Sequence, residues 1–267
     1  MNKIYKKMYK ERIFKLKEAN KIIKNIQVCK NNLTRLLAKH LIKRIRKSIY
    51  YIVPLDNEDF YPDPIHLGTK IRDEAPFMCD TALLIHGVID AKSALHTIYI
   101  GYSQASKIRI RDVTYNILKN DYDIGIETVE YATPYGTINV EVTDIERTII
   151  DCIRTKSIKM MDIISLVGSM KSINIKKILN YLEKIKKPIL YNKIGLILET
   201  NQKKLNIEIN DLEKIKKKLS KKTYYAKEKE LTLIKPKYKY YKQWNIMIPE
   251  KIHEMFKEKN NAQNNIQ

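Results

Sequence analysis

Residues 28–42 read VCKNNLTRLLAKHLI, and residues 43–54 continue as KRIRKSIYYIVP. In the first of these segments, apolar residues recur at the spacing of a helix that buries one face. The apolar stripe consists of Val28, Leu33, Leu36, Leu37 and Leu41. The other side carries Lys30, Asn31, Thr34, Arg35 and Lys39. The pattern predicts an amphipathic helix whose outer face is polar and cationic.

The spacing of apolar residues changes after this helix. Two short runs of β-branched and aromatic residues follow, Ile42–Ile45 and Ile49–Val53, and residues 46–48 (RKS) join them. Pro54 ends the second run because proline cannot continue the hydrogen-bond ladder of a strand. The pattern predicts a β-hairpin. Ser48 stands at a turn position where such hairpins favour glycine.

Two further helices are predicted before residue 28. The first is a basic helix around Lys3–Phe14, and the second covers Lys17–Lys24, with Ala19, Ile22 and Ile23 on one face. Short helices followed by a cationic hairpin occur in this order in a winged helix-turn-helix. We therefore predict a DNA-binding domain of this type over residues 1–54.

The chemistry of these residues suits double-stranded DNA. A helix fits into the major groove, where Asn and Arg can read base edges, and the cations of the hairpin can contact phosphates. The predicted DNA-binding residues are Lys30, Asn31, Asn32, Thr34, Arg35, Lys39, Lys43, Arg44, Arg46 and Lys47. The alternative is a helix and a hairpin whose charged face is merely solvated. Their adjacency and their lack of acidic residues favour DNA binding.

The distribution of charge supports a polyanionic partner. The 267 residues carry a formal net charge of +21, which is large for a globular sequence that is 44% hydrophobic. Residues 1–54 contribute a net +14, residues 55–185 a net −4, and residues 186–267 a net +11. A compositional bias alone would spread the excess evenly, so the two ends are the candidate contact regions.

Several classes of protein are excluded by simpler features. The basic N-terminus lacks the apolar run of a signal peptide, and no apolar stretch is long enough to span a membrane. Cys29, Cys79 and Cys152 are scattered, which is typical of free thiols in a reducing compartment. We expect a cytoplasmic protein that uses no metal and no cofactor.

The middle of the chain predicts a second domain of mixed helices and strands. The acidic segment Leu55–Pro64 contains two prolines and is the predicted linker. Beyond it, TALLIHGVID predicts a helix that ends at Gly87, and HTIYIGYS predicts a strand. TVEYAT and TINVEVT predict a hairpin around residues 134–136 (PYG). The predicted fold class is α+β, with an N-terminal winged helix-turn-helix followed by a mixed α/β domain over residues 65–256.

A polar helix follows that hairpin. In TDIERTIIDCI, Thr143 and Glu146 have the spacing of a capping box, which predicts a helix start at Thr143. Arg147 and Asp151 are then neighbours one turn apart on this helix. Its predicted core face consists of Ile145, Ile149, Ile150 and Ile153. Glu146, Arg147 and Asp151 form either a structural network or a functional polar motif.

These segments together resemble the AbiEi antitoxins of type IV toxin–antitoxin systems. The resemblance is carried by IKRIRKSIYYIVP, TALLIHGVI, EVTDIERTIIDCI, YNKIGLILET and KYKYYKQWNIMIP, which occur in family order from about residue 12 to 250. It implies a winged helix that represses the protein's own operon. It further implies a C-terminal antitoxin domain, within residues 65–256, that counteracts a nucleotidyltransferase-type toxin without a stable complex.

Two other functions remain as alternatives. One is a DNA-binding regulator without a toxin partner. The other is a metal-dependent nuclease, because five carboxylates lie near predicted strands and such enzymes cluster carboxylates around Mg²⁺. These are Asp121, Asp123, Glu127, Glu130 and Glu141. Exposed strand and turn carboxylates explain them as well, and His86 fits a helix end better than a catalytic base. No P-loop, dinucleotide-binding or serine-nucleophile motif occurs, so we predict no enzyme.

The C-terminal third is basic and mostly helical. Ile173–Lys186, Tyr191–Glu199 and Asp211–Leu219 predict helices, with a possible break between two lobes near residues 185–205. Gly195, inside the second of these, predicts close packing against a neighbour. The stretch KPKYKYYKQWNIMIP predicts an edge strand protected by lysines, or a surface that stacks bases. Residues 257–267 are predicted to be a disordered tail.

Overall fold

The computed structural model describes residues 2–90, 95–226, 237–250 and 252–254. Helices and strands combine in an α+β fold, which confirms the predicted class. Within these residues, the strands form three three-stranded sheets and one two-stranded hairpin. The predicted tail after residue 256 lies outside the described residues, as does Lys235 of the Tyr/Lys-rich stretch.

The chain divides into two compact units that interleave along the sequence. The described part of the first unit comprises residues 2–77, 95–120 and 128–142. The second comprises residues 78–90 and 121–127, together with the described residues from 143 onward. This division differs from the predicted boundaries at residues 54 and 64, which follow composition and not packing.

The N-terminal part of the first unit has the topology of a winged helix, as predicted. Its elements are α1 (Lys3–Met8), β1 (Ile13–Lys15), α2 (Leu16–Ile23), α3 (Ile26–Ala38), β2 (Ile42–Arg46) and β3 (Ile49–Ile52). The strands form an antiparallel sheet in the order β1-β3-β2. Because β3 is central and covered on both faces, all four of its residues are buried.

The first predicted helix is shorter than expected. We expected it around Lys3–Phe14, but α1 ends at Met8, and Arg12 adopts a left-handed backbone with φ of 58°. Ile13 and Phe14 instead pair with β3 as part of strand β1. Both side chains are fully buried there, so tertiary pairing with β3 overrides the local helical pattern.

The core of the winged helix corrects one residue of the predicted stripe. Val28 is 47% exposed, whereas Cys29 is fully buried. Cys29, Leu33 and Leu36 are separated by four and three residues and therefore share one helical face, while Val28 lies one residue outside it. The remaining core residues of this cluster are Ile4, Tyr5, Phe14, Ala19, Ile42, Tyr50 and Ile52.

The rest of the first unit consists mainly of one helix, a second three-stranded sheet and a β-hairpin. Its elements are α4 (Pro64–Ile71), β4 (Thr97–Tyr102), β5 (Ser106–Ile110), β6 (Val113–Lys119) and most of β7 (Ile126–Thr133) and β8 (Gly136–Thr143). β6 is the central strand of the sheet, parallel to β4 and antiparallel to β5. β7 and β8 form the hairpin predicted from TVEYAT and TINVEVT.

The predicted linker, residues 55–64, is packed in the structure. The Tyr61 ring lies 5.6 Å from the ring of Tyr51, and the Phe60 ring lies 5.3 Å from that of Tyr135. Asp63 caps α4 by accepting hydrogen bonds from the backbone of Ile65 and His66. The aromatic residues of the segment therefore fix it within the first unit, although its composition is that of a loop.

The second unit is mainly helical. Its elements are α5 (Cys79–Ile85), α6 (Ile145–Thr155), α7 (Met160–Ser169), α8 (Ile175–Ile185), α9 (Pro188–Thr200), α10 (Gln202–Leu205), α11 (Ile209–Lys216), β9 (Tyr224–Tyr225), β10 (Tyr238–Tyr241), a 3-10 turn (Lys242–Trp244) and β11 (Ile246–Pro249). β11 is central, antiparallel to β10 and parallel to β9. α5 ends as predicted, with Gly87 just beyond it at a φ of 69°.

The helices of the second unit correct one prediction and confirm another. Asp144, and not Thr143, caps α6, because its carboxylate accepts the backbone hydrogen bond of Arg147. Close packing at Gly195 is confirmed, since a Cβ there would stand 2.0 Å from the Trp244 ring. The predicted break near residues 185–205 coincides with α9, which is buried along most of its length.

Candidate nucleic-acid interface

Helix α3 presents its polar side to solvent because its apolar side is fixed in the core. Asn25 starts the helix by accepting hydrogen bonds from the backbone of Gln27 and Val28, each at 3.0 Å. Cys29, Leu33 and Leu36 bury the inner face. The first turn and the outer face of α3 are therefore accessible, as a helix that enters the major groove requires.

Most of the predicted residues of α3 lie on this accessible side. Lys30, Asn31, Thr34 and Arg35 are all exposed, and so is Lys39 at the end of the helix. The Asn31 side-chain oxygen accepts a hydrogen bond from the side-chain amide of Gln27 at 3.2 Å. The hydroxyl of Thr34 donates to the carbonyl of Lys30 at 3.1 Å.

Asn32 is the member of the predicted set that the structure places differently. It is half-buried, and its Nδ2 donates to the carbonyl of Val28 at 2.9 Å. Its Oδ1 accepts a hydrogen bond from Nδ2 of Asn2, also at 2.9 Å. Each end of the amide therefore makes a hydrogen bond within the protein, and Asn32 joins α3 to the start of α1.

Two residues of α3 were missed as candidate contacts. Gln27 and Val28 are exposed in the first turn, beside Asn31. An amide can bind base edges, and an exposed valine can contact a thymine methyl group. The spacing of Cys29, Leu33 and Leu36 would have revealed this, because it places Val28 outside the buried face.

The wing carries four of the predicted DNA-binding cations. Lys43, Arg44, Arg46 and Lys47 are all exposed. The register of β2 against β3 shifts between Arg44 and Arg46, and such a bulge redirects side chains. Ser48 completes the turn with a φ of 65°, which explains why glycine would be favoured at this position.

Two carboxylates near the winged helix, Glu18 and Asp73, are paired with cations. Glu18 accepts a hydrogen bond from Lys70 at 2.8 Å, and Asp73 pairs with both Lys15 and Lys17. Partial burial raises the pKa of Asp73, but the hydrogen bonds from Lys15 and Lys17 outweigh this effect and hold the pKa below its ordinary value. Residues 19–55 contain nine Lys and Arg and no Asp or Glu. The outer face of α3 and the wing therefore carry positive charge with no acidic residue among them.

Two more cations lie beside the wing, and the sequence did not associate them with it. Arg109 and Arg111 line a groove of about 550 Å³ whose other lining residues include Lys43, Arg44 and Arg46 of β2. They are some 65 positions away in sequence, and only the tertiary fold brings them near. The alternation in SKIRIR, residues 106–111, indicates a strand with one cationic side. It does not indicate which other strand lies next to that side.

The predicted motif of Glu146, Arg147 and Asp151 belongs to the second unit and forms a buried network. Arg147 Nε donates to Asp151 at 2.8 Å, and both side chains are fully buried. Glu146 accepts a hydrogen bond from the backbone of Asn174 at 2.8 Å. Burial raises the pKa of the Asp151 carboxyl, against the effect of Arg147 and of Arg154. These contacts give the motif a structural explanation.

The five carboxylates considered for a nuclease do not form a metal site among the described residues. Asp121, Asp123, Glu127 and Glu130 are exposed, and Glu141 accepts a hydrogen bond from the Thr128 hydroxyl. No group of three or more His, Cys, Asp or Glu side chains within the described part of the chain has a geometry that could hold a metal ion. His86 stands at the end of α5, where its Nε2 lies 2.8 Å from the carbonyl oxygen of Thr143.

The Tyr/Lys-rich stretch near the C-terminus forms an edge strand. β10 is at one side of its sheet, and Lys239 forms an ion pair with Glu250 at 2.6 Å. Tyr240 is exposed, whereas Trp244 is completely buried and donates to Glu199 at 2.7 Å. The protected-edge prediction accounts for this arrangement, and the exposed Tyr240 leaves the base-stacking alternative untested.

The fold and these surfaces define an α+β protein with an N-terminal winged helix. No protein-family model matches the chain, and no curated protein matches it in sequence. The chain is similar in fold to the crystal structure of the RV2827C protein from Mycobacterium tuberculosis, with a TM-score of 0.58. The alignment covers 92% of this chain and 90% of that one at 11% sequence identity, so the likeness concerns the fold alone. Within the described residues, no helix is both long and apolar enough to cross a membrane.

Proposed function

We propose that this protein binds double-stranded DNA through its winged helix and represses transcription of its own operon. The observation that carries the proposal is the exposed face formed by α3 and the wing, which carries cations and amides but no carboxylate. Solvation alone explains scattered surface lysines, but it does not explain cations concentrated on the two elements that a winged helix uses for binding. The proposal needs no cofactor and no catalytic site, and it implies a cytoplasmic protein.

Each element has a distinct part in this proposal. The outer face of α3 enters the major groove, where Asn31 and Arg35 read base edges. The wing lies along the phosphate backbone, where Lys43, Arg44, Arg46 and Lys47 replace condensed counterions. Base contacts determine which sequence is bound, whereas phosphate contacts fix the position of the protein on the duplex.

The test is a binding titration with two labelled duplexes. One carries the region upstream of the protein's own operon, and the other carries the same bases in scrambled order. We expect the upstream duplex to bind at least about a thousandfold more tightly at physiological salt, as specific regulators do. Equal affinity for both duplexes would contradict the regulator function, and absence of any salt dependence would contradict DNA binding.

We further propose that the protein is an antitoxin that counteracts a nucleotidyltransferase-type toxin. The support is the resemblance to the AbiEi family carried by the ordered segments from the wing to the Tyr/Lys-rich stretch. The test is co-expression with a nucleotidyltransferase encoded beside this gene. We expect rescue of growth without co-elution of the two proteins in size-exclusion chromatography. Failure to rescue would leave a DNA-binding regulator without a toxin partner.

A further inference from the structure

We infer that the DNA-contacting surface extends beyond the winged helix into the groove between the wing and the β5–β6 turn, where Arg109 and Arg111 bind backbone phosphates. This inference rests on the proposed DNA-binding function and adds a contact region to it. We call the groove the phosphate groove. Its lining consists of Lys43, Arg44, Ile45, Arg46, Tyr51, Tyr61, Ile108, Arg109, Ile110 and Arg111.

The groove is built from parts of a single compact unit. Residues 43–46 of β2 contribute three cations, and residues 108–111, from the end of β5 and the following turn, contribute two. Tyr51 and Tyr61 contribute aromatic side chains that pack edge to face, with ring centroids 5.6 Å apart. The volume of about 550 Å³ is large enough to admit a phosphate with its sugar neighbours and not only a water molecule.

The two arginines are held in place before any ligand binds. The Arg111 guanidinium lies 3.6 Å from the centroid of the Tyr61 ring, a distance typical of a cation–π contact. Arg111 also has a left-handed backbone with φ of 50°, which turns the chain from β5 into β6. Arg109 Nε donates to the carbonyl of Arg111 at 3.2 Å. Ordered guanidinium groups lose little conformational freedom when they bind a phosphate.

The groove concentrates positive charge. None of its ten lining residues is acidic, although Asp112 follows Arg111 in the sequence. Among the residues that the structure describes, the ion pairs involve other cations, and none joins a carboxylate to the five cations of the groove. Five cationic residues line the groove with no carboxylate among the lining, so their charges repel one another, and a bound polyanion would relieve this repulsion.

The position of the groove favours the DNA backbone over a small phosphorylated ligand. One wall is the wing strand itself, so a backbone that follows the exposed wing cations continues directly into the groove. Arginine forks match phosphate oxygens in a bidentate arrangement. A free phosphate or a mononucleotide offers the same chemistry, and the experiment must separate these two sources.

The central variant is Arg109→Ala/Arg111→Ala in the full-length protein. Its affinity for the upstream and the scrambled duplex is measured over a series of salt concentrations. Removing phosphate contacts reduces the number of counterions released, so we expect a plot of log K against log salt that is less steep by about 1 to 2. Both duplexes should lose affinity by the same factor, about tenfold at low salt, because phosphates carry no sequence information.

Two further variants make the result specific. Lys171→Ala/Lys176→Ala removes the same net charge from exposed positions of the second unit and should retain the wild-type slope. Arg109→Lys/Arg111→Lys keeps the charge of the groove and should restore most of the slope. Circular dichroism and the urea midpoint establish that each variant is folded.

The possible outcomes separate this inference from the proposed function. If the wild type binds no DNA, the proposed function fails. The inference is overturned if the wild type binds DNA and wing variants make the salt dependence less steep, but Arg109→Ala/Arg111→Ala keeps the wild-type salt dependence, as Lys171→Ala/Lys176→Ala should. Binding of a small phosphorylated ligand is tested by titration with inorganic phosphate and with adenosine monophosphate. The readout is NMR of the arginine side-chain N–H groups. Saturable shifts of groove arginines with an unchanged DNA slope would assign the groove to a small ligand and overturn the DNA contact.

Discussion

Two helices of this protein carry a polar pair one turn apart in opposite surroundings. In α3 the pair is Asn31 and Arg35, both exposed to solvent on the outer face of the winged helix. In α6 the pair is Arg147 and Asp151, both completely buried and joined by a 2.8 Å hydrogen bond. The spacing is the same, but the α6 pair is an ion pair inside the protein, whereas the α3 pair is an amide and a cation that face solvent.

The difference shows what an ionic group indicates about function. A buried charge must be compensated within the protein, and Arg147 also donates to the backbone carbonyl of Ile124 at 3.2 Å. An exposed cation such as Arg35 needs no such partner, and its compensation can come from a ligand. Buried charges that are neutralised within the protein therefore indicate a structural role. Cations concentrated on an exposed face indicate a surface that can bind an anionic ligand.

The largest expected effect is on the buried side of this comparison. Arg147→Ala should lower the free energy of unfolding by about 3–5 kcal/mol, because it leaves the Asp151 carboxylate buried with only Arg154 as a cationic partner. The measurement is urea unfolding followed by circular dichroism. The matched change on the exposed side, Arg35→Ala, should alter the unfolding free energy by less than about 0.5 kcal/mol.

A double variant tests the cause of that loss. Arg147→Met/Asp151→Leu removes both charges and should recover a large part of the lost stability, as replacement of a buried ion pair by apolar residues often does. If Arg147→Ala costs less than about 1 kcal/mol, water reaches Asp151 and the motif is not a buried structural network. That result would favour the alternative in which Glu146, Arg147 and Asp151 form a functional polar motif.

The second prediction concerns a buried histidine of the first unit. His66 is 4% exposed, and its Nδ1 lies 3.0 Å from the Tyr135 hydroxyl. Burial, assisted by the charge of Lys70 and opposed by Glu18, lowers the pKa of His66 to about 4. The folded state therefore favours the neutral imidazole, while the unfolded chain takes up a proton near pH 6.5.

The sign of the pH dependence follows from this lowered pKa. The stabilisation is complete above about pH 6.5 and is lost as the pH falls towards 4, with a total of about 3 kcal/mol. Burial raises the pKa of Asp63, which works in the opposite direction near pH 4. Urea unfolding at several pH values measures the effect, and His66→Gln should remove most of the slope between pH 6.5 and 5. A wild-type slope that survives in His66→Gln would assign the effect to another group.

The sequence was sufficient for those parts of the fold that local patterns determine. Spacing and composition predict the helical stripe of α3 apart from Val28, the hairpin of the wing and the close packing at Gly195. The errors came where distant contacts override a local pattern. Ile13 and Phe14 continue a helical pattern in sequence but become strand β1 because β3 is available to pair with them.

The candidate site was predictable only in part for the same reason. Nine of the ten predicted DNA-binding residues are exposed on α3 and the wing, and Asn32 is the exception because it is hydrogen-bonded to Asn2. Arg109 and Arg111 could not be predicted as neighbours of the wing, since no local pattern relates β5 to β2. Long-range packing was therefore the missing information, both in the fold and in the site.

The third prediction concerns the exposed side of the comparison. Asn31→Ala and Arg35→Ala should each weaken binding to the upstream duplex by about 1–3 kcal/mol, because the proposed function assigns each side chain hydrogen bonds to a base edge. Affinity for a scrambled duplex should change much less, so the ratio of the two affinities falls. Fluorescence anisotropy with both duplexes measures this ratio. Equal losses on the two duplexes would mean that α3 contacts only the backbone.

The smallest expected effect concerns the wing. Lys43→Ala or Lys47→Ala should weaken binding to every duplex alike and make the salt dependence less steep by about 1 for each phosphate that the protein no longer neutralises. Lys47, at the tip of the hairpin, should show the full effect. Lys43 should show less, because its Nζ already lies 3.3 Å from the carbonyl oxygen of Glu58. Titrations of both duplexes over a salt series measure the two slopes. If a wing variant changed the preference for the upstream sequence, the wing would read bases, and the assignment of sequence recognition to α3 alone would be wrong.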